Sequence, residues 1–226
     1  MKEPVPKLKK KRIRAKIKNP NRVHLRRQQI IDGAIKVFTG KGFHSATTKE
    51  IAKAAGLTEG TLYNYVQTKE DIIYIVYDHV TSLLRNDLQK AIARETDPEK
   101  RLRAALLQNL RSINEYQDII LFMYKESGSL DKESLYSVLA RETEYIEMFE
   151  SLLHDYLGDS VSDKTKIKLA ADLLSYIPVI ITFRRWSLKR RFESLESVID
   201  DIIDFIFHGV QFACEAEKKV QEKDQP

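Results

Sequence analysis

Apolar residues along this chain recur at helical spacing, and no stretch alternates polar and apolar residues long enough to make a strand. The chain is therefore restricted to an all-α fold. In RRQQIIDGAIKVFTGKGF, Ile30, Ala34 and Phe38 line one face, flanked by Ile31, Ile35 and Val37, and Gly40 and Gly42 supply a stop. A second helix opens at TTKE, where Thr47 and Glu50 have the spacing of a capping box, and runs through Ile51 and Ala52 to Gly56. A third, short helix follows Thr58, and TKED starts a fourth with Thr68 and Asp71 in the same capping arrangement. Longer helical stretches follow: IIYIVYDHVTSLLRNDLQKAI, DPEKRLRAALLQNLRSI with Asp97 as cap and Pro98 at the first position, QDIILFMYKES, and DKESLYSVLARETEYIEMFESLLHDYL. Two more complete the pattern, DKTKIKLAADLLSYIPVIITFRRW and SLESVIDDIIDFIFHGVQFACEAE. The expected architecture is a compact N-terminal three-helix unit followed by a larger helical bundle.

The last two stretches are too apolar for helices with one covered side. In the final one, Val198, Ile202, Phe205 and Phe212 form one stripe, and Ile199, Ile203, Ile206 and Val210 a second. One stripe can face the chain's own core. The other requires either complete burial within the bundle or a second copy of the chain, and the first stripe is assigned to a dimer interface. Pro178 inside SYIPVII is expected to kink its helix or leave a carbonyl unpaired, opening room for a cavity.

Charge is unevenly placed. Residues 1–27 hold 12 Lys or Arg and one acid, against 26 bases and 32 acids in the remainder. KLKKKRIRAKIK buries too little to offset its chain entropy, so this arm is expected to be disordered until it meets an anionic partner. As a solubilising tail it would have the same composition. The only cysteine, Cys214, excludes an internal disulfide and has no activating His or Lys beside it. No apolar run is long enough to cross a bilayer and no signal peptide is legible, so the chain is expected in the cytoplasm without a membrane partner. Five scattered histidines give no metal-ligand spacing, and neither a Gly-rich phosphate loop nor a nucleophile elbow occurs. No enzyme activity, metal or cofactor is expected. The acids of Glu142, Glu144, Glu147 and Glu150, and of Asp200, Asp201 and Asp204, read as water-facing helix surfaces.

In AAGLTEGTLYNYVQTKED, Gly56 can take the left-handed turn between two helices, and Ala52 is small where they cross. Leu57, Leu62 and Val66 point back to Ile51 and Phe38, which leaves Thr58, Glu59, Gly60, Thr61, Tyr63, Asn64 and Tyr65 for the outer or lateral faces. Hydroxyls, an amide and aromatic tips on one short helix suit a nucleic-acid groove: Thr61 and Asn64 can hydrogen-bond base edges, and Tyr65 can donate to a phosphate. Gly60 costs roughly 1 kcal/mol against alanine in a helix interior, which argues for a close approach to its backbone. Lys69 with free amides at the start of the fourth helix, and Thr48 with Lys49 at the start of the second, would make anion sites.

The run IIDGAIKVFTGKGFHSATTKEIAKAAGLTEGTLYNYVQTKEDI resembles the DNA-binding domain of the TetR family of bacterial transcriptional regulators. The shared elements are the frame F…GKGF…TT…IA..AG, then GTLY.Y and KED. Val66 stands where that family often has Phe. The resemblance implies a helix-turn-helix domain at 22–70 after a basic arm at 1–21, and a helical effector-binding and dimerisation domain at 71–226. It places Thr48, Thr58, Gly60, Thr61, Tyr63, Asn64, Tyr65 and Lys69 at positions that touch DNA. It further implies a homodimer on a palindromic double-stranded operator, acting as a repressor and released by a small molecule. FMYKESGSLDKES and FRRWSLKRRFESLESVIDDIIDFIFHGV resemble the corresponding stretches of fatty-acid and acyl-CoA-responsive members.

Candidate effector-lining residues, chosen as large apolar groups on central helices near Pro178, are Leu110, Phe122, Tyr145, Phe149, Ile177, Ile180 and Phe183. Arg184 and Arg185 could meet an acidic head group or form a solvated basic helix end. The arm is expected to follow an adjacent minor groove or its phosphates. The competing readings are a helical adaptor whose arm meets membrane lipids, and a non-specific DNA-binding protein without an effector.

Overall fold

A computed structural model of the protein describes residues 11, 13–158 and 164–209. Among them the chain is helical, without a strand. The elements in order are α1 (Pro20–Lys41), α2 (Thr48–Ala54), α3 (Glu59–Leu62), α4 (Lys69–Ile92), α5 (Pro98–Glu115), α6 (Gln117–Glu126), a single 3₁₀ turn (Ser127–Ser129), α7 (Lys132–Leu157) and α8 (Lys164–Arg191). A last helical stretch covers 199–209. Phe212, Val210 and Cys214 lie outside the described residues.

Local chemistry fixes most helix starts. The Asn19 side chain accepts from the Arg22 amide and Pro20 opens α1, so one free donor is capped and another is never present. Thr47 and Glu50 close both halves of the expected capping box at α2. Thr58 caps α3 by accepting from the Thr61 amide, and Asp97 caps α5 by accepting from that of Lys100. At α4, the Asp71 amide donates to Thr68 Oγ1, and Asp71 Oδ2 accepts from the amides of Gln67 and Thr68.

By packing, the chain divides into two compact units. The first takes residues up to Leu83 together with Asp118–Glu142, and the second takes Leu84–Gln117 together with Thr143 onward. Helices α4 and α7 each contribute residues to both units. This is a division by contact. The functional division at 21/22 and 70/71 remains a proposal.

Within the first unit, α1 packs on α2. Ile30, Ala34, Phe38, Phe43, Ile51, Leu62 and Val66 are buried there, as the helical spacing requires. Gly33 makes the crossing possible: a Cβ at that position would stand 2.7 Å from the Ala55 backbone nitrogen and 3.0 Å from the Ala55 Cα. Ala52, the small residue expected where α2 and α3 cross, is buried, and at the separate crossing of α1 with α2 the closest approach falls at Gly33 against Ala55. Overpacking of this kind costs about 1–3 kcal/mol, against at most about 1 kcal/mol recovered from helix propensity. Gly33→Ala is therefore expected to lower the melting temperature by a few degrees, and a stabilised variant would contradict the crossing. Helix α6 adds Phe122, whose ring stacks on Phe38 with centroids 5.1 Å apart, and Met123, whose carbonyl accepts from the Tyr77 hydroxyl.

The second unit has its own core of Leu88, Leu102, Leu106, Leu110, Phe149, Leu153, Leu174, Ile199 and Ile203, among others, with α5 packed against α8. Pro178 lies inside α8, and the expected unpaired carbonyl does not arise. Proline has no N–H to reach back to Leu174, but the buried Asn109 side chain takes over: its Nδ2 donates to the Leu174 carbonyl at 3.4 Å. Asn109 Oδ1 in turn accepts from the Tyr145 hydroxyl at 3.0 Å. Burial pushes the Tyr145 phenol well above its ordinary pKa, so it stays a donor.

Candidate nucleic-acid interface

The turn between α2 and α3 is built by two backbone closures. The Ala55 amide donates to the Ile51 carbonyl, the Leu57 amide to that of Ala52, and Gly56 between them sits at φ +68°, a region where a side chain would be strained. Helix α3 is only four residues long, and the next turn tightens through Asn64 N–H to Thr61 and Tyr65 N–H to Leu62. Leu62, Tyr65 and Val66 seal the inner side. Thr58, Gly60 and Tyr63 are exposed, with Glu59, Thr61 and Asn64 half-buried beside them.

These outer groups are held by one another. The Thr48 hydroxyl at the start of α2 donates to Glu59 Oε1 at 2.5 Å and accepts from the Tyr63 hydroxyl at 3.1 Å. Thr58 Oγ1 lies 2.8 Å from Thr61 Oγ1. Lys41 donates to Glu50 at 2.7 Å, and that ion pair with the Thr47 hydroxyl and amide holds the Glu50 carboxyl down to about 2. Lys49 and Lys53 are exposed on α2, and Arg14, Lys16, Lys18 and Arg22 are exposed before and at the start of α1. A polar face with pre-set hydroxyls and flanking cations can position phosphates and read base edges.

Tyr65 departs from its expected place. It is 1% exposed, so its phenol belongs to the core and not to an outer face from which it could reach a phosphate. Lys69 departs too, since its Nζ donates to the carbonyls of Phe43 (3.0 Å) and Ala46 (3.1 Å), with that of His44 at 3.4 Å, and lies over the Phe43 ring. It clips the 43–46 loop to α4. Of the amides at the start of α4, that of Asp71 is taken by Thr68 Oγ1, and those of Gln67 and Thr68 just before the helix are taken by Asp71 Oδ2. Of the basic arm, residues 1–10 and 12 lie outside the described residues, while Lys11 and residues 13–19 make specific contacts.

Of the seven expected effector-lining residues, four share one core and three lie apart from it. Leu110 and Phe149 are in the core of the second unit, with Tyr145 and Ile177 packed on it. Phe122 belongs to the first unit, on Phe38. Ile180 and Phe183 are 56% and 49% exposed, so they line no interior. They fall instead on an outward stripe of α8 with Leu169, Leu173 and Tyr176, spaced four, three, four and three residues apart. Arg184 is exposed, and Arg185 Nη1 approaches Gln117 Oε1 at 3.5 Å. On the last stretch, Ile199, Ile203, Ile206 and Phe207 are buried, Val198 and Ile202 half-buried, and Phe205 is 80% exposed. One cavity of about 280 Å³ lies in the first unit, lined by Lys11, Ile13, Arg27, Tyr74, Asp78 and Arg141 among others, none of them an expected effector contact. Among the described residues no group of three or more His, Cys, Asp or Glu could hold a metal ion, and no helix is long and apolar enough to cross a membrane.

Comparison with known proteins finds likenesses to transcriptional regulators. Residues 30–73 match the family described as bacterial regulatory proteins, tetR family. The HTH-type transcriptional regulator HbdR of Aromatoleum sp. is 30% identical over 90 residues, 40% of this chain and 39% of that protein. Such matches span about two fifths of the curated relatives' length. Among solved structures, the transcriptional regulator FadR from Bacillus subtilis in complex with stearoyl-CoA superposes with a TM-score of 0.67 at 17% identity, covering 79% of this chain and 96% of that one. AibR, solved in complex with isovaleryl coenzyme A and operator DNA, gives 0.63 at 18% identity, covering 80% of this chain and 97% of the other. At such identities the likeness shows the fold, an N-terminal helix-turn-helix followed by a helical bundle.

Proposed function

We propose that this chain, whose residues 30–73 belong to the tetR family of bacterial regulatory proteins, is a ligand-responsive transcriptional regulator. It binds a palindromic double-stranded operator as a homodimer, acts as a repressor, and lets go when a small apolar or acyl-type effector fills the second unit. The observation that carries the DNA-reading role is the outer face of α3, where Thr58, Gly60 and Tyr63 stand exposed with Thr61 and Asn64 over a sealed core. Polar groups fixed by their own hydrogen bonds lose little freedom on docking, which suits readout of a groove. In this reading Thr48, Lys49, Thr58, Glu59, Gly60, Thr61, Tyr63 and Asn64 form the contact set. Lys69 acts by holding the loop before α2.

The homodimer is supported by the α8 stripe and by Phe205, since two heptads of apolar residues facing outward suit a second identical helix. Leu169, Leu173 and Ile180 join Val198, Ile202 and Phe205 in that proposed interface. An acyl-type effector is supported by the two neighbours solved with acyl-coenzyme A. Leu110, Tyr145, Phe149 and Ile177 remain its proposed contacts, whereas the positions of Phe122, Ile180 and Phe183 argue against including them.

Gly60→Ala tests the reading role. A Cβ there would meet nothing within 4 Å, so the free protein is expected to gain up to about 1 kcal/mol from helix propensity. Against a duplex enriched from a random-sequence pool by the unmodified chain, the same variant is expected to bind at least tenfold more weakly, because its methyl meets the groove. Unchanged affinity would remove α3 from the interface.

A further inference from the structure

The geometry points to a strap: Lys11 and residues 13–18 tie the first turns of α7 to the end of the reading helix, with Lys11 as the charged anchor and Asn64 as the residue held. Nothing about the contacts is local in sequence. At the anchor, the Lys11 side chain is only 15% exposed. Its Nζ donates to Asp131 Oδ2 at 2.8 Å and Ser134 Oγ at 2.9 Å, and lies 3.3 Å from Asp71 Oδ1. Its amide donates to Ser137 Oγ at 3.0 Å and its carbonyl accepts from the Tyr74 hydroxyl at 3.3 Å. Burial opposes the Lys11 charge, yet Asp131 and Asp71 outweigh it and raise the pKa, while Asp131 is held down to about 2. Both partners stay ionised across the physiological range.

At the other end, the Lys16 amide donates to the Asn64 carbonyl at 2.8 Å. Between the ends, the Arg27 guanidinium bridges the Ile13 carbonyl at 2.6 Å and the Tyr65 carbonyl at 3.1 Å, a second tie between arm and reading segment. The chain between alternates: Ile13, Ala15 and Ile17 are half-buried, and Arg14, Lys16 and Lys18 are exposed. A segment held at Lys11, Ile13 and Lys16, with Ile13, Ala15 and Ile17 half-buried, is a structural part, not a solvated tail. It presents a row of cations beside α3 and fixes the backbone of Asn64. Because α7 continues to Phe149 and Leu153 of the second core, the strap joins the reader to a helix that reaches the proposed effector region.

Two variants of the full-length chain test this. Lys11→Met keeps the aliphatic stem and removes the charge, and Asp131→Asn removes the partner charge while leaving a side chain that still caps α7. In amide hydrogen exchange without DNA, both are expected to speed exchange at Lys16 at least tenfold, with the melting temperature little changed; unchanged protection in both overturns the strap. The second readout rests on the proposed DNA-reading role. For the enriched duplex, both variants are expected to lose about tenfold in affinity with the same salt slope, because a positioning contact and not a phosphate contact is lost. If Lys11→Met lowers the slope by about one and Asp131→Asn leaves affinity unchanged, Lys11 is a phosphate ligand and the anchor role is wrong. Faster exchange with no loss of affinity in either variant overturns the positioning of Asn64. Should the unmodified chain enrich no duplex, the DNA-reading proposal fails while the exchange result still decides the strap.

Discussion

Leu173→Glu combined with Ile180→Glu is expected to convert the protein to a monomer and to reduce its affinity for the enriched duplex by about a thousandfold. Both side chains are more than half exposed on α8, so the monomer tolerates the change. In a dimer each would be covered, at about 1.5–3 kcal/mol per buried aliphatic side chain, and symmetry applies the change twice in each subunit pair. Four carboxylates brought into one apolar seam cost more than the lost contacts alone. A single reading head then meets one half-site, which removes most of the advantage of specific over non-specific binding, commonly a factor of 10³ or more. Size-exclusion light scattering and a titration with the duplex measure both effects. A variant that stays dimeric and binds as before would place the dimer elsewhere, whereas Leu25→Glu, an exposed site on α1, serves as the control for added charge.

Asn109→Ala is expected to be the most destabilising single substitution among polar residues of the second unit. It leaves the Leu174 carbonyl and the Tyr145 hydroxyl buried without their partner, at about 1–3 kcal/mol each. For a chain of this length the sum corresponds to a fall of roughly 10 °C in melting temperature. Pro178→Ala in the same background should recover part of the loss, because an alanine at 178 supplies the N–H that can reach Leu174. If Pro178→Ala gives no greater benefit in that background than in the unmodified chain, Asn109 is not compensating for the proline. The arrangement also explains how α8 tolerates a proline between Leu173 and Ile180 and still presents one outward stripe.

The parts of this molecule that were legible in the sequence are those governed by local chemistry. Thr47 with Glu50, Thr68 with Asp71, Asp97 before Pro98, and Gly56 in its left-handed turn each follow from cap and turn rules acting over a few residues. The exposed set around Thr58, Gly60 and Tyr63 was legible for the same reason. Tyr65 was not, because a residue just past a four-residue helix turns inward or outward according to how that turn tightens. A lysine before an acidic pair reads alike whether it meets a phosphate or, as Lys69 does, a set of carbonyls. Ile180 and Phe183 were misplaced by their proximity to Pro178, although the spacing from Leu169 to Phe183 carried the signal of an outward seam. The Lys11 contacts reach residues from Asp71 to Ser137, far apart in the chain, and no local pattern announces them.

Dimeric operator binding is tested most directly by the stoichiometry and dyad of the complex formed by the full-length chain on its enriched duplex, measured by sedimentation equilibrium with footprinting. Two chains on one duplex are expected, with protection repeated about one helical turn or a multiple apart around a dyad. One chain per duplex, or equal affinity for a shuffled duplex of the same composition, would contradict it.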